Sequence, residues 1–267
     1  MVSRIKKEGT YHEQNTSPVR YKRSGGAPVS NELLLIGSVI LIYGTVLAAW
    51  RIFGKVGMYA MTCLTTVLAN IEVLMLIEGF GMEQTLGNVM FAATYLITDI
   101  LSENEGRECA AKSVWLGVFS SIVMLLFSQY WLLYTPAASD WASGPIRAIF
   151  STTPRLLLAS FTGYVVSQRF DVWLYHRCWE YTTRRTGDSA RFLWLRNNGA
   201  TLVSQVINTV LFTLIAFAGW YDAQTLWKVM LSSYVIYIFT SILDTPAVYL
   251  ARKMKQRGLA DGKQRES

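Results

Sequence analysis

The chain has 267 residues, of which 52% are hydrophobic and 16% are charged, and its net charge is +7 at pH 7. Soluble domains are typically about 25% charged, so this composition excludes an ordinary soluble globular fold. The basic excess does not predict a nucleic-acid partner. The Lys and Arg residues lie beside apolar segments, where the positive-inside rule and anionic lipid headgroups account for them.

Seven apolar runs follow one another along the chain, at 33–50, 58–77, 88–101, 113–134, 150–175, 199–220 and 229–250. A helix that crosses the hydrocarbon core of a bilayer needs about 20 apolar residues. The runs therefore predict an all-α polytopic membrane protein with a bundle of six to seven transmembrane helices. The 88–101 run is short, as expected for a helix that faces protein rather than lipid.

Charge divides the chain into three parts and orients it. We expect a disordered basic tail at 1–30, a transmembrane domain at 31–253 and a basic C-terminal tail at 254–267. Alternate loops between the runs are rich and poor in Lys and Arg, which predicts a cytoplasmic C-terminus. With seven spans, the N-terminal tail is then expected outside, against its own charge.

Cysteine and histidine give no sign of a metal site or a disulfide framework. Cys63, Cys109 and Cys178 are scattered, and neither His12 nor His176 has a metal-ligand neighbour at helical spacing. The apolar runs also contain no H-x-x-x-H, Ser-Lys or G-x-S-x-G constellation. We therefore expect no metal, no cofactor and no enzymatic activity.

Polar and ionisable residues inside the runs are the candidate site residues, because such residues are costly in a membrane and usually face a bundle interior or a solute path. Asp99 and Glu103 lie four apart and share one helical face at the inner end of the third run. Such a pair can accept hydrogen bonds from a base or bind a cation. The alternative is that both are simply solvated at a membrane exit.

The fifth run carries three further candidates. Arg155 lies near its outer end, where it either contacts substrate or extends to the membrane interface. Gln168 and Asp171 lie three residues apart near the inner end and share a face. Asp171 is a possible coupling residue, or it forms a local ion pair with Arg169.

In the sixth run, Asn198, Thr201, Gln205 and Asn208 follow steps of three, four and three residues and form one polar stripe. Carboxamides both donate and accept hydrogen bonds, which suits a neutral heterocycle better than a simple ion. The alternative is that these residues join helices together.

Two other runs hold one candidate each. Asn70 is the better candidate of the second run, because it and Glu72 point to different faces and Asn70 is expected in the bundle interior. Asp244 precedes Pro246 at an expected kink of the seventh run. It is either a proton or cation site or a structural residue.

Four segments, 69–103, 153–176, 192–217 and 232–252, resemble the queuosine precursor transporter family, also called the vitamin uptake transporter family. The likeness covers about residues 31–253. Three differences from the family pattern are Asn208 in place of an aspartate, Tyr237 in place of a lysine and Glu105 in place of a tyrosine. The family motifs are matched by Thr98, Asp99 and Glu103, by Arg155, Gln168 and Asp171, and by Gln205, Asn208 and Thr209.

The resemblance implies an importer of 7-deazaguanines (preQ0, preQ1 or queuine) in a bacterial plasma membrane, for salvage into the queuosine modification of tRNA. It also implies a fold similar to the substrate-binding subunits of vitamin importers. The expected partners are the small-molecule substrate and the lipid bilayer, and a homodimer is left open. A carrier for another vitamin or nucleobase-like solute is the alternative. The energy source also stays open between a proton gradient, a sodium gradient, facilitated passage and a shared ATPase.

Overall fold

The computed structural model describes residues 30–151, 154–187 and 192–260. The predicted N-terminal tail lies almost wholly outside these residues. The chain forms α1 (Asn31–Glu72), β1 (Leu76–Gly79), β2 (Met82–Thr85), α2 (Gly87–Glu105), α3 (Arg107–Trp131), α4 (Ser143–Ser151), α5 (Pro154–Thr186), α6 (Leu193–Phe217) and α7 (Ala223–Gln256). The predicted all-α polytopic class is confirmed, with the addition of one small β-hairpin.

Helix α1 is broken into two antiparallel arms, 31–53 and 55–72. Gly54 has a non-helical conformation, with φ 55° and ψ −136°, which glycine adopts without the penalty of a side chain. An unbroken helix of this length would extend for about 63 Å. The Asn31 amide nevertheless donates to the Glu78 carbonyl over 2.7 Å, only six residues beyond the end of α1, so the second arm must return alongside the first.

The second apolar run, predicted to extend to residue 77, ends earlier. Helix α1 stops at Glu72, and the chain then forms the hairpin of β1 and β2, in which Gly79 pairs with Met82. Phe80 and Gly81 both have positive φ, 54° and 69°, which is the type I′ turn that suits two-residue hairpins. The apolar residues of β1 thus belong to a strand and not to a span.

Lipid-facing surface is visible on several helices. Large apolar side chains such as Ile40, Leu41, Phe119 and Phe239 are well over half exposed, which is expected where lipid replaces water. Helices α1, α3, α6 and α7 are long and apolar enough to cross a membrane. The chain is a multi-pass membrane protein.

Helix α2 lies at the centre of the bundle and contacts α1, α3, α5 and α7. Its residues from Ala92 to Ser102 are buried on every face, which confirms that this short run faces protein. Because α2 passes through the core, its polar side chains meet those of the surrounding helices away from lipid.

The packing gathers the basic loops at one end of the bundle, here called the basic end. The Trp50 indole donates to the Ala251 carbonyl over 3.1 Å, and Ala260 packs against the break at Gly54. Arg196 and Arg252 both pair with Glu103 at the same end. The β-hairpin and the start of α7 lie at the other end, called the opposite end.

Candidate functional site

A polar cavity lies in the half of the bundle toward the opposite end. It encloses about 490 Å³ of space free of protein atoms, part of it open to solvent. An adjoining pocket of about 830 Å³ shares Asn88, Asn208 and Tyr237 with it and reaches the exposed Tyr221.

Three carboxamides from three helices line this cavity: Asn70, Asn88 and Asn208. The amide of Asn70 donates to the Thr66 carbonyl over 3.0 Å and to Ser121 over 3.1 Å. The carbonyl oxygen of Asn88 accepts the Tyr237 hydroxyl over 3.0 Å, whereas its buried amide nitrogen has no partner among the described residues. The Asn88 amide therefore remains available as a donor to a solute.

Aromatic rings form one wall of the cavity. The ring of Phe91 lies 5.6 Å from Tyr95, 6.0 Å from Tyr164 and 6.3 Å from Tyr237 between centroids. Phe91, Tyr164 and Tyr237 also line the cavity itself. The combination of flat apolar faces and carboxamides suits a planar heterocycle that carries hydrogen-bonding edges.

Asp99 and Asp171 lie deeper in the bundle, beside α6. The Thr201 hydroxyl donates to one Asp99 oxygen over 3.3 Å, and the other oxygen has no partner among the described residues. Both oxygens of Asp171 lack a partner in the same sense. The predicted alternative of an Asp171–Arg169 ion pair does not form, since Arg169 stacks on Trp115 at 5.0 Å on the exposed face.

Gln168 and Asp244 are engaged with neighbouring helices. The Gln168 amide donates to Thr94 over 2.6 Å, and its oxygen accepts from Thr98 over 3.3 Å, so this side chain ties α5 to α2. Asp244 accepts a short hydrogen bond from Tyr43, which ties α7 to α1. Asn198, the first residue of the predicted stripe in the sixth run, forms hydrogen bonds with Thr245 and Ser241 of α7. It lines neither pocket.

Glu103 lies at the basic end in a closed ion-pair network. One carboxylate oxygen accepts from Arg196 and from the Tyr175 hydroxyl at 2.9 Å, and the other pairs with Arg252 at 3.0 Å. The Arg196 guanidinium also lies over the Trp179 ring at 4.4 Å. The network joins α2, α5, α6 and α7 at the basic end. Glu103 shares a face of α2 with Asp99, as the spacing predicted.

Arg155 is not brought together with the other candidates. Its guanidinium donates to the carbonyls of Ile215 and Ala218, and it lies 5.2 Å from the Trp220 ring centroid. Arg155 thus binds one carbonyl in the last turn of α6 and one in the residue that follows it, where carbonyls lack intrahelical partners. Arg155 therefore lies at the opposite end of the bundle, and it lines neither pocket described above.

Several residues of this region were not predicted from the sequence. Asn88 is a carboxamide at the start of an apolar run, a signal that was present but not used. Arg196 precedes the sixth run and was not among the candidate residues. Tyr237 was noted only as a difference from the family pattern. Its hydroxyl takes part in the cavity through Asn88.

Polar residues that line a cavity inside a helical membrane bundle are typical of a solute pathway. A family model described as "Putative vitamin uptake transporter" matches residues 85–251. The "Probable queuosine precursor transporter" of Bacillus subtilis (strain 168) is 39% identical over 225 residues, which cover 84% of this chain and 96% of that protein. The chain therefore belongs to the vitamin uptake transporter family, as the resemblance predicted. No solved structure matches it.

Proposed function

We propose that this protein imports 7-deazaguanine precursors of queuosine across the bacterial plasma membrane, with its basic end in the cytoplasm. The observation that carries the proposal is the similarity to a relative named as a queuosine precursor transporter over 96% of that relative's length. In this orientation the cavity opens outward and the Glu103 network lies on the cytoplasmic side. A solute arriving from outside would reach the cavity first.

The cavity offers chemistry that matches a 7-deazaguanine. The base presents a carbonyl acceptor and the adjacent donors of a ring N–H and an exocyclic amine. Asn70, Asn88 and Asn208 supply both donors and acceptors, and Phe91 offers an aromatic contact to the flat ring. We place the initial binding of substrate at these residues.

Asp99 belongs to a second, deeper position on the route. A carboxylate accepts two adjacent N–H donors in a charge-assisted pair, and one Asp99 oxygen is still without a partner among the described residues. Gln205 lies on the same side of α6, four residues after Thr201. Glu103, Gln168 and Arg155 hold helices together in this state, and we leave them out of the direct substrate contacts.

The test is uptake in a strain that cannot synthesise queuosine precursors. Expression of this chain with nanomolar external preQ0, preQ1 or queuine should restore queuosine in tRNA. Asn208→Ala should raise the precursor concentration that is needed by about 2- to 12-fold, the effect of one neutral hydrogen bond. Gln224→Ala, an exposed carboxamide at the start of α7, is the matched control and should leave uptake unchanged.

Failure of every precursor, with the protein present in the membrane, would overturn the assignment. Uptake of a different vitamin or nucleobase in the same strain would then support the alternative cargo. Restoration that is equally efficient in Asn208→Ala and wild type would move the substrate site away from the cavity.

A further inference from the structure

We propose that Asp171, beside Asp99 and with the hydroxyls of Thr201 and Ser204, forms a binding site for one monovalent cation, a proton or Na⁺, that drives substrate uptake. This inference rests on the proposed transport function. It adds an energy source and a second ligand to the proposed transport of substrate.

The first observation is the absence of a counter-charge. Asp99, Asp171 and Asp244 are 0–1% exposed, and none of the ion pairs formed by the described residues includes any of them. An isolated buried carboxylate is too costly to persist without a proton, a cation or strong donors. Asp99 has one hydroxyl donor, and Asp171 has none with normal hydrogen-bond geometry.

The second observation is a set of unused oxygens around the same place. Thr201 bonds to Asp99, and Thr201 and Ser204 both lie beside Asp171. Gln205, four residues after Thr201 and only 1% exposed, has a side-chain oxygen without a partner among the described residues. Asn197, four residues before Thr201 on the same face, has both polar side-chain atoms buried and likewise unpaired.

These ligands favour a small monovalent ion over a divalent metal. No group of three or more His, Cys, Asp or Glu side chains within the described ranges could hold a metal ion. Two carboxylates with hydroxyl and carboxamide oxygens instead suit a single added positive charge, which relieves the repulsion between them. The nearby charged and titratable groups are Tyr95 and Glu103 of α2, Tyr175 of α5, Arg196 of α6, and Asp244 of α7 with its partner Tyr43; Arg196 is paired with Glu103.

The position of the site suits coupling. Along α6, Thr201 is about 10 Å from Asn208 of the cavity and about 7.5 Å from Arg196 of the basic-end network, at 1.5 Å per residue. A cation at Asp171 would therefore lie between the substrate cavity and the ion pairs that close the basic end. Occupancy of that point can change how α5 and α6, which share the most extensive interface in the bundle, pack against α2.

The experiment uses the full chain reconstituted in liposomes with labelled preQ0, preQ1 or queuine. Counterflow without an ion gradient measures binding and passage, and accumulation is measured under an imposed proton gradient, an imposed Na⁺ gradient, or neither. With the membrane potential clamped at zero, a tenfold gradient of one cation coupled one-to-one should support about tenfold accumulation of the substrate. Asp171→Asn should keep counterflow but bring the accumulation ratio to one, whereas Glu180→Gln, an exposed carboxylate of the same helix, should accumulate like wild type.

A second readout needs no substrate. The melting temperature of the purified wild type should rise either with Na⁺ relative to choline or on acidification, and Asp171→Asn should lose that response. Ser204→Ala retains the carboxylate and should shift the response to higher cation concentration, which covers the case in which Asp171→Asn misfolds.

Equal accumulation by wild type with and without gradients, or gradient-driven accumulation by Asp171→Asn, would overturn the proposal. Absence of wild-type counterflow with all three precursors would instead refute the substrate assignment, and the melting experiment would still test the site.

Discussion

Replacement of Glu103 by glutamine should destabilise the basic end of the bundle far more than replacement of its neighbour Glu105. Both carboxylates lie at the end of α2, and both form ion pairs with α7, Glu103 with Arg252 and Glu105 with Lys255. They differ in burial. The Glu103 side chain is 1% exposed, whereas Glu105 is 20% exposed and its partner Lys255 is 36% exposed.

The expected magnitude follows from that difference. Removal of one partner from a buried ion pair costs about 3–5 kcal/mol, because the other charge is left uncompensated. Glu103→Gln would remove the buried carboxylate that pairs with Arg196, whose side chain is 0% exposed. Since glutamine keeps the volume and one oxygen acceptor, we expect the lower end, about 3 kcal/mol. A partly exposed pair such as Glu105–Lys255 contributes about 0–1 kcal/mol.

Thermal unfolding of the purified protein in detergent measures the effect. At about 2–4 °C per kcal/mol for a chain of this size, Glu103→Gln should lower the Tm by about 6–12 °C, and Glu105→Gln by less than about 4 °C. The double variant Glu103→Gln/Arg196→Met also removes the Arg196 charge and should recover part of the lost Tm, because the stability effects of mutations at directly interacting residues are not additive. Equal Tm values for Glu103→Gln and Glu105→Gln would refute the argument that a buried network closes this end.

Three further predictions concern the substrate route and the orientation. Asp99→Asn should reduce uptake about 10- to 150-fold at nearly unchanged abundance, because a charge-assisted hydrogen bond is lost; uptake at the wild-type rate would remove Asp99 from the route. Gly163→Ala should weaken uptake without altering any polar group, since a Cβ at Gly163 would lie 2.7 Å from the Asn208 side-chain oxygen and displace it; unchanged concentration dependence would show that the position of Asn208 is unimportant. A reporter fused after Ser267 should show cytoplasmic activity, and periplasmic activity would reverse the proposed orientation.

Much of the fold could be predicted from the sequence because the membrane imposes a local rule. A segment in lipid must satisfy its own backbone hydrogen bonds and present apolar side chains, so runs of apolar residues locate helices without knowledge of their neighbours. The expectation that the 88–101 run faces protein was also correct, because its shortness is a local property. The rule failed at residues 73–77, where an apolar stretch forms a turn and the start of β1. Only the turn at Phe80 and Gly81 signals the change.

The candidate site was predictable only in part. Asn70 and Asn208 were selected because a carboxamide in an apolar run is conspicuous, and both line the cavity. The sequence could not show that Arg155 binds the end of α6, or that Glu103 is enclosed by Arg196, Arg252 and Tyr175. Each of these contacts joins residues more than 50 positions apart.

The sequence by itself therefore determined that this protein is a helical membrane transporter, which polar residues lie within its bundle and which loops share a basic character. Only the tertiary structure decided which of those polar residues meet. Two features set which side chains face the cavity and which form contacts between helices. They are the rotation of each helix about its own axis and the folding of α1 back on itself at Gly54. Those choices depend on packing between distant segments, and no local pattern of residues encodes them.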